Sequence, residues 1–349
     1  MRLFKCDRGG RIVPFSAHRC QACDALLGYV TERRTIRVLL PTADPAVFAT
    51  DDRDPPLWRC LNSAWGCNWM LPAGSDTSWC RSCRLTRGRP DEADPDAVDA
   101  WMTAEAAKRR LVHQLDELAL PIEFRSTTSP DGLTFDLVYV PGEGAITGHL
   151  DGVVTLDLAE ADDRHRDGLR RRLREPFRTV IGHLRHEIGH HYWGRLVGRA
   201  DDLDRFRRLF GDEREHYREA IERHYSAGDA AWDRTRYVTA YAASHPLEDW
   251  AETFAHYLHI LDATDTAIAH ELIPPDSNQA TATTLTSLAL DDILAVWRPV
   301  NTAVNAIAET VGAPAVYPFE PVGAVVDKLT FVHRRVAALT ERHRFHAIH

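Results

Sequence analysis

Apolar residues recur at three- and four-residue spacing in the segment that follows Pro176. The apolar positions of this stripe are Phe177, Val180, Ile181, Leu184, Ile188, Tyr192 and Leu196. Because residues three and four apart lie on one face of an α-helix, the stripe predicts a helix with one buried side. Pro176 suits the start of this helix, where the missing N–H of proline costs no hydrogen bond.

The rest of the chain divides into a short strand region and a helical majority. Residues 97–119 have a helical pattern of apolar positions, whereas residues 133–140 and 145–158 resemble strands on either side of Pro141-Gly142. Further helices are expected at 202–210, 213–225, 230–243, 246–262, 285–311 and 321–343. The pattern therefore predicts an α+β fold, mostly helical, with a small antiparallel sheet.

The cysteines divide the chain into two parts. All seven lie before residue 84, and the turn-forming run Gly88-Arg89-Pro90 is followed by an acidic linker at 91–96. We therefore predict a cysteine-rich region at 1–90 and a second domain at 91–349. Cysteines confined to one short region are typical of metal sites in a reducing compartment.

Composition excludes several classes of function. The net charge of −9 argues against general affinity for nucleic acids, since binding to phosphates requires excess positive charge. Hydrophobic residues make up 44% of the chain, but no apolar run approaches the length of a membrane span. The amino terminus does not resemble a signal peptide, so we expect a cytoplasmic protein without a membrane anchor.

The predicted helix contains the pentapeptide His186-Glu187-Ile188-Gly189-His190, an HExxH motif. Side chains four apart stack on one helix face, so His186 and His190 are placed to bind one metal ion. Glu187 is placed beside them as a general base that takes a proton from water. His186 and His190 are therefore predicted ligands of a catalytic zinc, and Glu187 is the predicted catalytic residue.

A catalytic zinc site requires a third protein ligand, because this metal commonly takes three side chains and leaves one position open. The second candidate helix begins at Pro246. Glu248 lies in its first turn, where a carboxylate already has a structural role at the helix N-terminus. Glu252 lies one turn deeper among apolar neighbours, where a carboxylate needs a cation. Glu252 is the preferred third ligand, with Glu248, His245 and His256 as alternatives.

Several stretches resemble a bacterial family of zinc-binding metallopeptidases with N-terminal zinc ribbons. They include TGHLDGVVTLDLAEADD at 147–163, EPFRTVIGHLRHEIGHHYW at 175–193, LFGDER at 209–214 and YAASHPLEDWAETFAHYLHI at 241–260. More broadly, Glu252-Thr253-Phe254-Ala255 is similar to the run in Glu-zincins that supplies a glutamate ligand. The resemblance implies a zincin-like peptidase domain preceded by zinc ribbons. Many Glu-zincins have an acidic residue four positions after the ligand, where this chain has His256.

The remaining parts of the predicted site are less specific. Tyr241, His245 and Tyr257 are alternative donors to the developing oxyanion, and Asp249 and His256 are candidates to brace the ligands. Residues 152–157 read as a strand that could pair with an extended peptide substrate.

The cysteines predict one or two structural zinc sites besides the catalytic one. Cys60, Cys67, Cys80 and Cys83 have C-x6-C-x12-C-x2-C spacing, which suits one tetrahedral ion. Cys6, Cys20 and Cys23 form an incomplete second set, because Gly9 stands where the related family usually has a cysteine. His18 is a candidate fourth ligand of that set, and the alternative is a weakened or empty site.

The sequence thus predicts a zinc-dependent peptidase that acts on a peptide or protein substrate. The zinc ribbons are either structural or bind a protein partner. The alternative function is a zinc-ribbon adaptor whose second domain is inactive or hydrolyses something other than peptides. Loss of a ligand or of Glu187 would favour that alternative, and all of them are present.

Overall fold

The computed structural model describes residues 3–50, 55–139, 147–162, 165–166, 168, 177–226, 232–273 and 282–346. Within these ranges the first 90 residues contain eight short strands. They are β1 (Phe4–Lys5), β2 (Ile12–Val13), β3 (Leu27–Val30), β4 (Thr35–Val38), β5 (Leu40–Pro41), β6 (Val47–Ala49), β7 (Leu57–Arg59) and β8 (Trp69–Pro72). β1 and β2 form an antiparallel pair, and the other six form one sheet in the order β4-β3-β8-β7-β6-β5.

Helices dominate the described part of the chain after residue 94. They are α1 (Pro95–Glu117), α2 (Val180–Val197), α3 (Ala200–Phe210), α4 (Tyr217–Ser226), α5 (Pro246–Ala269), α6 (Leu290–Thr310) and α7 (Ala324–His346). Asp94 accepts a hydrogen bond from Ala97 N at the start of α1, and Thr179 caps α2 in the same way through Gly182 N. The proline proposed as the start of the HExxH helix, Pro176, lies outside the described residues. The predicted α+β fold with a helical majority is confirmed.

The small sheet of the second region is mixed. Its strands are β9 (Thr134–Val138), β10 (Gly148–Leu150) and β11 (Val153–Asp157), in the order β10-β11-β9. β11 pairs antiparallel with β10 and parallel with β9. Asp151 and Gly152 have φ angles of 49° and 81°, which suit a tight hairpin turn and return β11 alongside β10. The sheet predicted as antiparallel therefore contains one parallel pairing.

The helix predicted at 230–243 is wrong for the described residues of that segment. Residues 232–240 form turns, and only Tyr241–Ala243 makes a short 3₁₀ helix. Tertiary contacts hold this backbone instead: Lys328 Nζ donates to Arg236 O at 2.6 Å, and Ala324 N donates to Thr235 O at 2.8 Å. The spacing of apolar residues does not show whether distant groups will bind the backbone of a segment in a non-helical conformation.

The cysteine-rich region and the helices share one hydrophobic core in the described residues. Tyr29 of β3 packs against Trp69 of β8, and its hydroxyl lies 2.9 Å from Nδ1 of His113 on α1. No helix within the described ranges combines the length and the apolar character needed to span a membrane.

The HExxH helix α2 packs closely against α5. A Cβ atom added at Gly189 would lie 2.9 Å from Ala251 Cα and 3.1 Å from Ala251 O. Trp250 Nε1 donates a 2.8 Å hydrogen bond to Gly189 O, which fixes the two helices in register. Glycine at 189 thus brings the side chains of α2 and α5 together.

Gly189→Ala is expected to lower the free energy of unfolding by about 1–3 kcal/mol, because the added methyl group forces the two helices apart. The matched control is Gly194→Ala on the same helix, where an added Cβ meets nothing within 4 Å. That change should leave stability unchanged or raise it by about 0.5–1 kcal/mol, as alanine favours helices. Urea unfolding of both variants measures the difference, and equal stability would contradict the close packing.

Candidate metal centre

Three donor atoms from α2 and α5 converge on one point. His186 Nε2 lies 3.0 Å from Glu248 Oε2 and 3.2 Å from His190 Nε2, and His190 Nε2 lies 3.4 Å from Glu248 Oε2. Ligands of a tetrahedral zinc at its usual bond lengths are separated by about 3.3 Å. The spacing and the chemistry of two imidazoles and one carboxylate therefore fit a zinc ion.

Glu252 lies on the opposite side of the His186 ring. Its Oε1 lies 2.6 Å from His186 Nδ1, and its Oε2 accepts a 2.7 Å hydrogen bond from the Thr239 hydroxyl. A proton on Nδ1 directed at Glu252 leaves the lone pair on Nε2 free for a metal. The structure thus places Glu252 against Nδ1 of His186, whereas Glu248 lies against Nε2 of the same ring, on the side of His190.

Glu248 lies in the first turn of α5, as expected from the sequence, but another residue caps the helix. His245 is the N-cap of α5, and its Nδ1 accepts a 3.1 Å hydrogen bond from Leu247 N. Glu248 is buried and directs its Oε2 at the two imidazoles, while its Oε1 accepts a 2.9 Å hydrogen bond from Tyr217 OH. No sequence signal links Tyr217, on α4, to the centre, because the two come together only through helix packing.

The charges of the two glutamates follow from these contacts. Burial alone would raise both pKa values, but hydrogen bonds with His186 and His190 hold the pKa of Glu248 well below its ordinary value. The hydrogen bond and charge of His186 similarly lower the pKa of Glu252 to about 2, against the effect of burial. These contacts therefore favour the charged form of both glutamates.

Glu187 lies beside the paired histidines. One oxygen of its carboxylate and a ring nitrogen of each of His186 and His190 fall within 4.8 Å of one another. Burial raises the pKa of Glu187, although the charges of the two histidines act in the opposite direction. A buried carboxyl at this position is suited to exchange a proton with a molecule bound next to the histidines.

A cavity of about 290 Å³ opens next to the centre. Its lining includes His186 and Glu187 of α2, Glu252 of α5, Tyr241 from the segment before α5, and Phe319 from the segment before α7. A volume of this size accommodates a large side chain of a substrate.

Of the three candidate oxyanion donors, only Tyr241 faces the centre, with its ring centroid 5.9 Å from that of His186. His245 contacts Glu215 O at 3.1 Å, and the Tyr257 hydroxyl is buried 3.1 Å from His333 Nδ1. These two side chains are therefore engaged away from the cavity.

The two residues predicted to brace the ligands differ in position. His256 Nε2 lies 4.0 Å from Glu252 Oε2, so it is close to the centre. Asp249 instead forms a buried ion pair with Lys328 at 2.5 Å.

The strand predicted to pair with substrate is not at the sheet edge. β11 lies between β10 and β9, so its main-chain groups already pair on both sides. β10 is an edge strand, and His149 on it stacks on His190 with ring centroids 6.5 Å apart. The edge beside the HExxH helix is therefore β10.

Four buried cysteines gather in the second cysteine cluster, formed by Cys60, Cys67, Cys80 and Cys83. Cys67 Sγ lies 3.7 Å from both Cys80 Sγ and Cys83 Sγ. Thiolates bound to a tetrahedral zinc at 2.3 Å are separated by about 3.8 Å, so this cluster fits one zinc ion. All seven cysteines are free thiols.

The first cysteine cluster contains Cys6, Cys20 and Cys23. Cys6 Sγ lies 3.7 Å from Cys23 Sγ and accepts a 3.3 Å hydrogen bond from Gly9 N. His18 is not among the residues whose ligand atoms gather at these thiols. The structure therefore offers no support for His18 as the fourth ligand.

Comparison with known proteins gives one family match for the cysteine-rich region and one for the rest of the chain. The family described as "Putative zinc-binding metallo-peptidase" matches residues 97–335, and the zinc-ribbon domain matches residues 3–94. One uncharacterized protein from Mycobacterium bovis (strain ATCC BAA-935 / AF2122/97) is 40% identical over 338 residues, covering 95% of this chain and 94% of the relative. Uncharacterized proteins from Mycobacterium tuberculosis strains CDC 1551 / Oshkosh and ATCC 25618 / H37Rv match to the same extent, with 40% identity, 95% of this chain and 94% of each relative. No solved structure matches the chain. By these matches the chain belongs to the zinc-binding metallo-peptidase family and carries an N-terminal zinc-ribbon domain.

Proposed function

We propose that the protein is a zinc-dependent peptidase that hydrolyses amide bonds in a peptide or protein substrate. The observation that carries the proposal is the convergence of His186 Nε2, His190 Nε2 and Glu248 Oε2 within 3.0–3.4 Å beside Glu187. His186 and Glu187 also line the adjacent cavity, so the cluster lies where a small molecule or a substrate side chain has access.

The proposed ligands of the catalytic zinc are His186, His190 and Glu248, with Glu252 orienting the ring of His186. A bound zinc ion supplies Lewis acidity, which acidifies water and polarises a carbonyl group. This proposed set differs from the sequence prediction in its third ligand, which is Glu248 and not Glu252, one helical turn further along α5. Glu252 then occupies the position four residues after the ligand, where many Glu-zincins have an acidic residue.

Glu187 is the proposed general base. Its carboxylate takes a proton from the attacking water and passes it to the nitrogen of the leaving amine. Tyr241 is the proposed donor to the oxygen of the scissile carbonyl, because its ring lies against His186 at the cavity wall. The outer edge of β10, the edge strand of the sheet in the described residues, is the proposed site where an extended peptide forms main-chain hydrogen bonds.

Cleavage of a peptide library derived from a bacterial proteome tests this function. We expect new peptide termini with the zinc-loaded protein, none after removal of zinc by a chelator, and their return when zinc is added back. A zinc-loaded Glu187→Gln variant distinguishes loss of chemistry from loss of the structural metals. If the zinc-loaded protein produced no termini beyond those of this variant, the peptidase proposal would fail and an adaptor role would be favoured.

A further inference from the structure

Among the described residues, the three thiols of the first cysteine cluster leave the fourth corner of a tetrahedral metal site without a protein ligand. A Cβ atom added at Gly9 would lie 3.1 Å from Cys23 Sγ and 3.4 Å from Cys20 Sγ, so position 9 points directly at the thiols. Gly10 has a positive φ of 63°, whereas Gly9 does not, so a side chain at position 9 meets no backbone strain. Gly9 therefore occupies the place of a fourth ligand without supplying one.

The surroundings of this corner are open to solvent. Gly9 and its neighbours from Asp7 to Ile12 are exposed, and so are residues 21, 22 and 24 beside the other two cysteines. Cys6 and Cys20 are themselves buried, and Cys23 is partly exposed. In the second cysteine cluster all four thiols are buried, and Cys83 lies 3.9 Å from the buried carboxylate of Glu105. The chain thus contains a buried set of four thiols and a set of three whose Gly9 side is exposed.

We propose that Cys6, Cys20 and Cys23 hold a zinc ion through three thiolates, with the fourth coordination position beside Gly9 open to an exogenous thiol. Three soft sulfur donors favour zinc, and Cys6 Sγ and Cys23 Sγ have the 3.7 Å separation of neighbouring ligands. The hairpin that carries Gly9 also carries exposed Lys5, Arg8 and Arg11, whose positive charge favours an anionic ligand. A thiol that binds there displaces solvent and releases its proton.

Restoring a ligand at position 9 provides the test in the full-length protein, with a phosphine as reductant. We compare wild type with Gly9→Cys and with Gly9→Ala, which adds the Cβ atom but no donor. Native mass spectrometry should show the same zinc content in all three. Release of one zinc to a colorimetric chelator should be at least about tenfold slower from Gly9→Cys than from wild type or Gly9→Ala.

Two results would overturn the proposal. An additional zinc in Gly9→Cys would show that the wild-type site is empty, and equal release rates would show that the corner is already closed. Cys20→Ser is the control for loss of the site, and it should contain one zinc ion fewer per chain than wild type. An unchanged zinc content in Cys20→Ser would also contradict the proposal. The comparison of wild type with Gly9→Cys does not depend on the folding of Cys20→Ser.

Cobalt substitution tests the exogenous ligand. Addition of 2-mercaptoethanol should increase the thiolate-to-cobalt charge-transfer absorption of wild type by the amount expected for about one added thiolate ligand. The increase should be smaller for Gly9→Cys. The catalytic centre is present in both proteins, so any change in absorption that the thiol causes there is the same in both and cancels when the two spectra are subtracted. An identical response of the two proteins would rule out thiol binding at this corner. Neither measurement depends on peptidase activity, so failure of one proposal leaves the other intact.

Discussion

Glu187→Gln is expected to reduce peptide cleavage by about 10²–10⁴-fold while the zinc content stays unchanged. The amide has nearly the shape of the carboxylate but cannot accept the proton that Glu187 takes in the proposed mechanism, and this range is typical of general acid–base catalysis. Zinc should be retained because the proposed ligands are His186, His190 and Glu248. The measurement is the rate of cleavage of a peptide identified in the library, together with metal analysis of the same sample.

Glu219→Gln is the control for this experiment. Glu219 is an exposed residue of α4, and the same chemical change there should leave both activity and zinc content at the wild-type level. Retained cleavage by Glu187→Gln would exclude Glu187 as the base. Loss of zinc from that variant would instead assign Glu187 to the metal.

Glu248→Gln is expected to lose the catalytic zinc, whereas Glu252→Gln is expected to keep it with about 10–100-fold lower affinity. Glu248 Oε2 lies 3.0 and 3.4 Å from the two Nε2 atoms, so its charge belongs to the donor set. Glu252 contacts Nδ1 of His186, and partners of this kind typically affect metal affinity by that factor. Zinc per chain after dialysis against a buffered low zinc concentration measures the difference.

The paired design separates the two glutamates because both changes remove one negative charge from the same helix. The zinc of the second cysteine cluster should stay bound in both variants and serves as an internal reference. If Glu252→Gln lost one zinc while Glu248→Gln kept it, the ligand set predicted from the sequence would be restored. If both kept it, neither glutamate would be a ligand.

The different places of Glu248 and Glu252 beside His186 show where reasoning from the sequence stops. Both glutamates lie on one face of α5, four residues apart, so periodicity alone cannot choose between them. The sequence argument gave Glu248 a role at the helix start, but His245 caps α5 in the structure. The register between α2 and α5, fixed where Gly189 meets Ala251, decides which carboxylate reaches the metal side of the histidines.

Other outcomes divide in the same way. The HExxH helix, the clusters of cysteines and the α+β fold class were predictable, because helical spacing and ligand spacing are local properties of the sequence. The helix expected at 230–243 was not found in the described residues, because contacts of Arg236 and Thr235 with the distant helix α7 hold that backbone. Tyr217 was missed for the same reason, since it meets Glu248 across 31 residues of chain.

The chemistry available to this protein was readable from the chain alone: paired imidazoles with an adjacent carboxylate, two sets of thiols at metal-binding spacing, and glycine at position 9 of the incomplete set. Packing of distant segments settled which nitrogen of His186 faces Glu248, which strand is the sheet edge and that position 9 faces the thiols of Cys20 and Cys23. The physical reason is that bond geometry and periodicity act over a few residues, whereas the distances between donor atoms depend on how distant segments pack.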